Sequence, residues 1–384
     1  MLLSFIRWII DSQSVFISEH TINIIRVFSA FTFAFLTISF FGKKTIRLLK
    51  SFKIGDKVEK EYCEILTDLH KNKNDTPTMG GILMAVVFLT TLLFCGDFSN
   101  PINRMLIFVI LSSALLGFRD DFLKLKRKKS HGLSAKKKVL GQAVIAGSVA
   151  FFTLFSIFGS QKESSSYLGS VNGDYVPASS GLYVPFRKTP LNIQGSLGKI
   201  CAFLLIMFVM IGSSNAVNLT DGLDGLAIGT AIPVIGYFLF TTWVIGNMKF
   251  GGTYSCVETV NAIELAVFSA AVLGGCFGFL IFNHYPARLF MGDTGSLMLG
   301  NLLGFIAVVL RRELFLAIIG GVFVAEALSV IIQVCSCKWR RKRIFLCSPL
   351  HHHFEYLGWS EKRVVFCFWG FSMLLCFLGL IVGF

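Results

Sequence analysis

Apolar residues along this chain gather in long unbroken blocks separated by shorter polar stretches. Ten blocks approach the roughly 20 residues that a membrane-spanning helix needs. They fall at about 22–42, 80–96, 102–118, 138–158, 199–217, 226–246, 263–282, 296–310, 314–335 and 364–384. Within each block the apolar residues run continuously instead of alternating, which argues against a barrel of membrane strands. The expected fold is an all-α integral membrane protein: one polytopic domain over residues 1–384 with about ten transmembrane helices. Residues 1–20 are apolar as well. Arg7 and Asp11 break that run and no basic stretch precedes it, so it reads as an interfacial segment and not as a signal peptide.

Composition agrees with the pattern: 54% of residues are hydrophobic, 40 are Phe and only 15% are charged. The net charge of +14 would suit a nucleic-acid partner if it were spread over a soluble surface. Instead, 26 of the 36 Lys and Arg lie in segments 43–79, 119–138, 218–225, 283–295 and 336–363, which all fall on one side of the bilayer if every block crosses it. That asymmetry is the positive-inside signature, so this face is assigned to the cytoplasm and no nucleic-acid partner is expected. The bilayer itself is the first partner. Both termini then lie outside, and Arg311 and Arg312, in a short outer turn, run against the rule. The outer segment 159–198 is an extended extracytoplasmic loop, rich in Ser and Gly, to which no chemistry can be assigned. The ten Cys show no paired metal-ligand spacing and read as small packing residues.

The unusual polar residues sit in the five cytoplasmic loops. In KNKNDTPTMGG (71–81), Thr76, Pro77 and Thr78 suit a helix cap, Gly80 and Gly81 permit a close approach, and Lys73 is within reach of a phosphate. In GFRDDFLK, Asp120 and Asp121 lie at the hydrocarbon boundary, where a carboxylate is costly unless a cation or metal partners it. Adjacent positions on a helix point about 100° apart, so one aspartate can face a site while the other holds Lys124 or a second ligand. Lys136 and Lys138, before the next span, are candidates to clamp a phosphate; Lys126 to Lys129 mark topology and attract anionic head groups.

NLTDGLDGLA (218–227) has no basic residue. On a helical turn, Asp221 and Asp224 would share a face, and Mg²⁺ typically takes one or two carboxylates together with substrate phosphates. In FNHYPARLFMGDTGS, Asp293 precedes a span, where it reads either as an ordinary N-cap or as a carboxylate kept ionised by a metal. Asn283 and Phe290 offer the amide and the flat ring that read and stack a nucleobase. His351, His352 and His353 are consecutive, so their side chains diverge and cannot all bind one metal. Positioning or exchanging a proton beside a phosphate suits them better than zinc.

In this order and on one face, TPTMGG, GFRDDFLK, NLTDGLDGLA, FNHYPARLFMGDTGS and PLHHHFE resemble the phospho-N-acetylmuramoyl-pentapeptide transferase family. That family is a branch of the polyprenyl-phosphate N-acetylhexosamine-1-phosphate transferases, and the resemblance runs from Lys73 to Glu355. It implies a cytoplasmic-facing cleft in the bacterial inner membrane and Mg²⁺ as cofactor. It also implies transfer of phospho-MurNAc-pentapeptide from UDP-MurNAc-pentapeptide to undecaprenyl phosphate, giving lipid I and UMP.

Carried over by motif, Asp293 is the Mg²⁺ ligand, with Asp221 beside it. Asp120 and Asp121 engage the lipid phosphate or the metal. Lys73, Asn283 and Phe290 form the uridine pocket, and Thr78, Lys124, Lys136, Asn218, Asp221 and Asp224 join the substrate-binding set. His351, His352 and His353 are the triplet needed for activity. One departure is Asp75, where the family has Gly before TPTMGG; a carboxylate there would compete for Lys73.

Two other readings stay open: a sister enzyme using UDP-GlcNAc, with the same fold and metal, and a cation transporter. A transporter would set acids near the membrane midplane and not at helix ends. The sequence is also compatible with a homodimer.

Overall fold

The computed structural model describes residue 2 and residues 18–52, 76–127, 132–154, 181–182, 184–186, 191–192, 195–247 and 256–383. Lys73, Asp75, nearly all of the amino-terminal segment and most of the outer loop 159–198 lie outside the described residues. Twelve helices follow in order: α1 (Glu19–Ser51), α2 (Gly81–Cys95), α3 (Pro101–Arg127), α4 (Ala135–Phe152), α5 (Gly195–Thr220), α6 (Leu226–Asn247), α7 (Cys256–Asn283), α8 (Gly292–Val309), α9 (Glu313–Ile319), α10 (Gly321–Arg340), α11 (Leu350–Tyr356) and α12 (Glu361–Gly383). A two-residue antiparallel pair joins Gly181–Leu182 to Leu191–Asn192 in the outer loop.

Among the described residues, eight helices are long and apolar enough to cross a membrane: α1, α3, α5, α6, α7, α8, α10 and α12. α2 is apolar but shorter, and α4 begins with three consecutive lysines. Every apolar block of the sequence is thus a helix, with three informative differences. α3 continues past 118 to Arg127 and carries Asp120 and Asp121 on its last turns. α8 begins at Gly292, ahead of its apolar run, and so includes Asp293. Hydropathy marks the part of a helix that sits in hydrocarbon, not where its hydrogen bonds stop. The ninth block is split: α9 ends at Ile319 and α10 starts at Gly321. Two successive glycines are poor helix formers, and Gly320, at φ −89° and ψ 19°, departs from helical geometry at the break.

α8 forms the centre of the bundle, with every residue from Asp293 to Val308 buried. It packs on α2, α3 and α5 through positions without side chains. A Cβ on Gly81 would collide with the backbone of Gly295, and one on Gly117 with the backbone of Asp293 and Thr294. Small residues let helix backbones approach where hydrophobic burial cannot drive association in lipid. These contacts bring the starts of α2 and α8 and the end of α3 together.

The opposite end is tied by a buried ion pair. Arg26 of α1 reaches both carboxylate oxygens of Glu264 on α7, at 2.6 and 2.8 Å, and donates to the Cys95 carbonyl. Glu264 also accepts from Asn103 of α3 and from the Asp97 amide. Four helices thus share one pair that is fully engaged, the condition under which buried charges persist. Arg311 and Arg312 are likewise buried: Arg312 donates to the Gly383 carbonyl, and Arg311 lies 3.6 Å from Glu313. They are internal fasteners more than loop charges, which explains their exception to the charge rule.

Candidate active site

α8 begins without a side-chain cap of its own, and its exposed amides would be left unsatisfied in a buried setting. Asp121, reaching over from α3, supplies the cap. One carboxylate oxygen accepts from the Asp293 amide at 3.1 Å, and the other accepts from the Thr294 amide and hydroxyl at 2.9 and 2.7 Å. A carboxylate at a helix N-terminus also interacts favourably with the helix dipole. Gly292 makes the entry: its φ is +69°, and a Cβ there would stand 2.7 Å from Asp121 and 3.0 Å from the Thr78 hydroxyl. Left-handed backbone and lack of space both require glycine.

With Asp121 committed to the cap, Asp120 is the member of the pair that faces the centre. Its carboxylate accepts from the Leu133 amide at 2.5 Å and lies 3.1 Å from Lys124 and 3.8 Å from Lys138. The Asp293 carboxylate is the hub. One oxygen is 2.9 Å from both Lys124 and Lys138, and the other accepts from Asn218 at 2.7 Å. Asn218 is itself oriented, since it donates to Ser296 and accepts from Lys138. The carboxyls of Asp120 and Asp293 come within hydrogen-bonding reach of each other. Three carboxyl groups thus meet two ammonium groups at this centre.

The loop before α8 is held from two sides. Its Phe290 amide donates to Pro77, and the amides of Gly80 and Gly81 donate to Phe290 and Met291, so the 76–81 motif lies along it as a short ladder. Thr78 is buried in this ladder and Phe290 is half-buried. Asn283 donates to Leu289 and closes the same loop. Asp224 braces it from the other side, with its carboxylate accepting from Ala287 and its amide donating to Glu361, each at 2.8 Å. Residues 221–225 form a turn and not a helix, with Gly225 at φ +77°. Asp221 and Asp224 therefore do not share a helical face: Asp224 is a buried brace and Asp221 is half-buried in the same turn.

The histidines diverge on the short helix α11. His351 is buried, with Nδ1 3.1 Å from Glu326 on α10. The Glu326 carboxylate also accepts the amides of Leu350 and His351 at 2.8 and 3.1 Å, capping α11. The Nε2 edge of His351 lies against Gly222, where a Cβ would strike it. His352 pairs with Glu355 at 2.7 Å, and His353 accepts from the Leu346 amide at 3.2 Å. His351 is brought against the 221–225 turn through Gly222.

Lys136 is exposed on the first turn of α4, while Lys138 enters the centre. Spacing carried that distinction, because Lys138 lies on the same helical face as the buried Gln142, Ile145 and Val149. Glu326, Ser296 and Glu361 were missed. A carboxylate inside the apolar block 314–335 was a signal for Glu326; the other two carried none.

Membrane helices that hold a carboxylate and lysine centre at one end define the class. Residues 103–311, more than half of the chain, match the model of glycosyl transferase family 4. Residues 73–83 match phospho-N-acetylmuramoyl-pentapeptide-transferase signature 1. Relatives that carry this transferase name align along nearly the whole chain. That of Protochlamydia amoebophila is 40% identical, covering 97% of this chain and 96% of its own length. Those of Chlamydia felis and Chlamydia pneumoniae are 41% and 43% identical, covering 97% and 90% of this chain and 99% and 91% of their own lengths. The chain belongs to the phospho-N-acetylmuramoyl-pentapeptide-transferase family.

Proposed function

We propose that this chain transfers phospho-MurNAc-pentapeptide from UDP-MurNAc-pentapeptide to undecaprenyl phosphate, releasing UMP and forming lipid I. We place its centre on the cytoplasmic face of the bacterial inner membrane. The observation that carries this reading is the convergence of Asp120, Asp293, Lys124, Lys138 and Asn218 at the ends of four helices, α3, α4, α5 and α8, where a lipid phosphate can arrive sideways. Attack of one phosphate on another joins anions, so catalysis rests on neutralising charge and aligning the groups. Lys124 and Lys138 supply positive charge. Asp120, held by Lys124 and the Leu133 amide, is oriented to take a proton from the lipid phosphate, which is itself a competent nucleophile. Phe290, on the braced loop, offers its ring to the uracil.

Mg²⁺ fits this donor set. The donors are oxygens, and among the described residues no three of His, Cys, Asp or Glu make a ready-made ion cage. An ion that retains waters and takes its remaining ligands from substrate phosphates suits such a site. Asp293, with Asp120 or Asp221, would hold it, and when bound it would neutralise the pyrophosphate.

The test supplies purified chain with undecaprenyl phosphate, Mg²⁺ and either UDP-MurNAc-pentapeptide or UDP-GlcNAc, and follows UMP. Release is expected with the first donor only. Release with UDP-GlcNAc alone would move the chain to the sister activity, and none with either would overturn the enzyme reading.

A further inference from the structure

The two faces of α10 have opposite characters. Toward the bundle it buries Glu326, Ser329, Gln333 and Ser336, and outward it exposes Leu328, Ile331, Ile332 and Trp339. Polar-in and apolar-out is the arrangement of a helix whose outer face meets lipid. This ridge ends in Trp339, which is 79% exposed, the kind of side chain that settles at the head-group level. Five basic residues surround that end: Lys338, Arg340, Arg341, Lys342 and Arg343, all exposed. None of the five pairs with a carboxylate among the described residues.

The backbone that carries these charges is pinned. Arg341 adopts the left-handed conformation, with φ at 54°, and turns the chain back along α10. Ser336 donates to the Lys342 carbonyl at 2.8 Å. Gln333 accepts the amides of Ile344 and Phe345 at 3.0 Å each and donates to the Phe345 carbonyl at 2.9 Å. A loop needed only to connect α10 to α11 would not require two buried side chains to fix it.

We propose that this hairpin and the outer ridge of α10 form a binding site for an anionic glycerophospholipid, with the head-group phosphate over Arg340–Arg343 and an acyl chain along Ile331 and Ile332. Several Lys and Arg directly beyond a membrane helix attract anionic lipid through the surface field, and the ridge continues the site into the hydrocarbon. The proposal does not depend on the transferase chemistry, because none of these side chains contacts the aspartate centre.

Native mass spectrometry of the full chain in neutral detergent, titrated with phosphatidylglycerol or phosphatidylcholine, tests it. Phosphatidylglycerol should be preferred. Combining Arg340→Gln, Arg341→Gln, Lys342→Gln and Arg343→Gln should weaken its binding about tenfold or more, with phosphatidylcholine unaffected. Equal binding of phosphatidylglycerol by both chains would overturn the site. So would a variant that loses undecaprenyl phosphate but keeps phosphatidylglycerol, because the patch would then serve the substrate lipid. Should the glutamine variant fail to fold, the charge-preserving set Arg340→Lys, Arg341→Lys and Arg343→Lys must retain the preference. Salt must also weaken phosphatidylglycerol binding to the unmodified chain, and insensitivity to salt would overturn the proposal.

Discussion

The Glu326 carboxylate lies 3.1 Å from His351 Nδ1 while also capping the helix that carries that histidine. Neither ring nitrogen of His351 makes a formed hydrogen bond. Contacts of this kind often tighten only once substrate is bound. Glu326→Gln should lower kcat for UMP release about 10- to 100-fold, the scale of a lost charge-assisted hydrogen bond of about 1.5–3 kcal/mol. Unchanged kcat would remove Glu326 as the residue that sets the imidazole.

Asp120 and Asp121 are neighbours with different work, and their asparagine variants should separate. Both should reduce turnover. Only Asp121→Asn should also lower thermal stability, by about 1–3 kcal/mol, because its amide opposes the donors at the start of α8. Equal stability of the two variants would contradict the cross-helix cap.

Lys138→Ala should cost far more activity than Lys136→Ala. The Lys138 ammonium touches Asp293 at 2.9 Å, whereas Lys136 is exposed. Comparable kcat/KM for the two variants would mean that the lysines exchange roles when substrate enters.

Gly222→Ala places a methyl group against His351. Turnover should fall, and because Asp221 directly precedes this glycine, the Mg²⁺ midpoint of the residual activity should rise. An unchanged midpoint would leave Asp221 outside the metal site.

Removing Mg²⁺ with a chelator should abolish UMP release, and re-addition should restore it. Asp293→Asn should not be rescued by any Mg²⁺ concentration. Near-normal turnover by Asp293→Asn would remove that residue from the metal role.

The apolar blocks announced nearly every membrane helix, because a bilayer imposes length and hydropathy together. Its ends were less legible: Asp120, Asp121 and Asp293 sit on helical turns that hydropathy cannot see. The lysines near the centre and the three histidines could be named as candidates, but their sorting needed geometry. Lys138 and Lys136 differ by half a helical turn, and His351 is set apart by its burial and by facing Glu326 and Gly222. The role of Asp224 as a brace was hidden by Gly225, whose positive φ turns an expected helix into a tight bend. Gly320 and Gly321 divide the ninth block for a reason that hydropathy averaging smooths away.

The cap that Asp121 places on α8 also sets a schedule for biosynthesis. Its amide partners lie 172 and 173 residues later in the chain, so at ordinary translation speeds they are made roughly 10–35 s after it. Throughout that interval Asp121 lacks the amides it will cap, whereas Asp120 already has Lys124 and the Leu133 amide within 13 residues. A chain stalled before α8 would leave the Asp121 carboxylate at the end of α3 without the backbone donors that it caps in the finished fold.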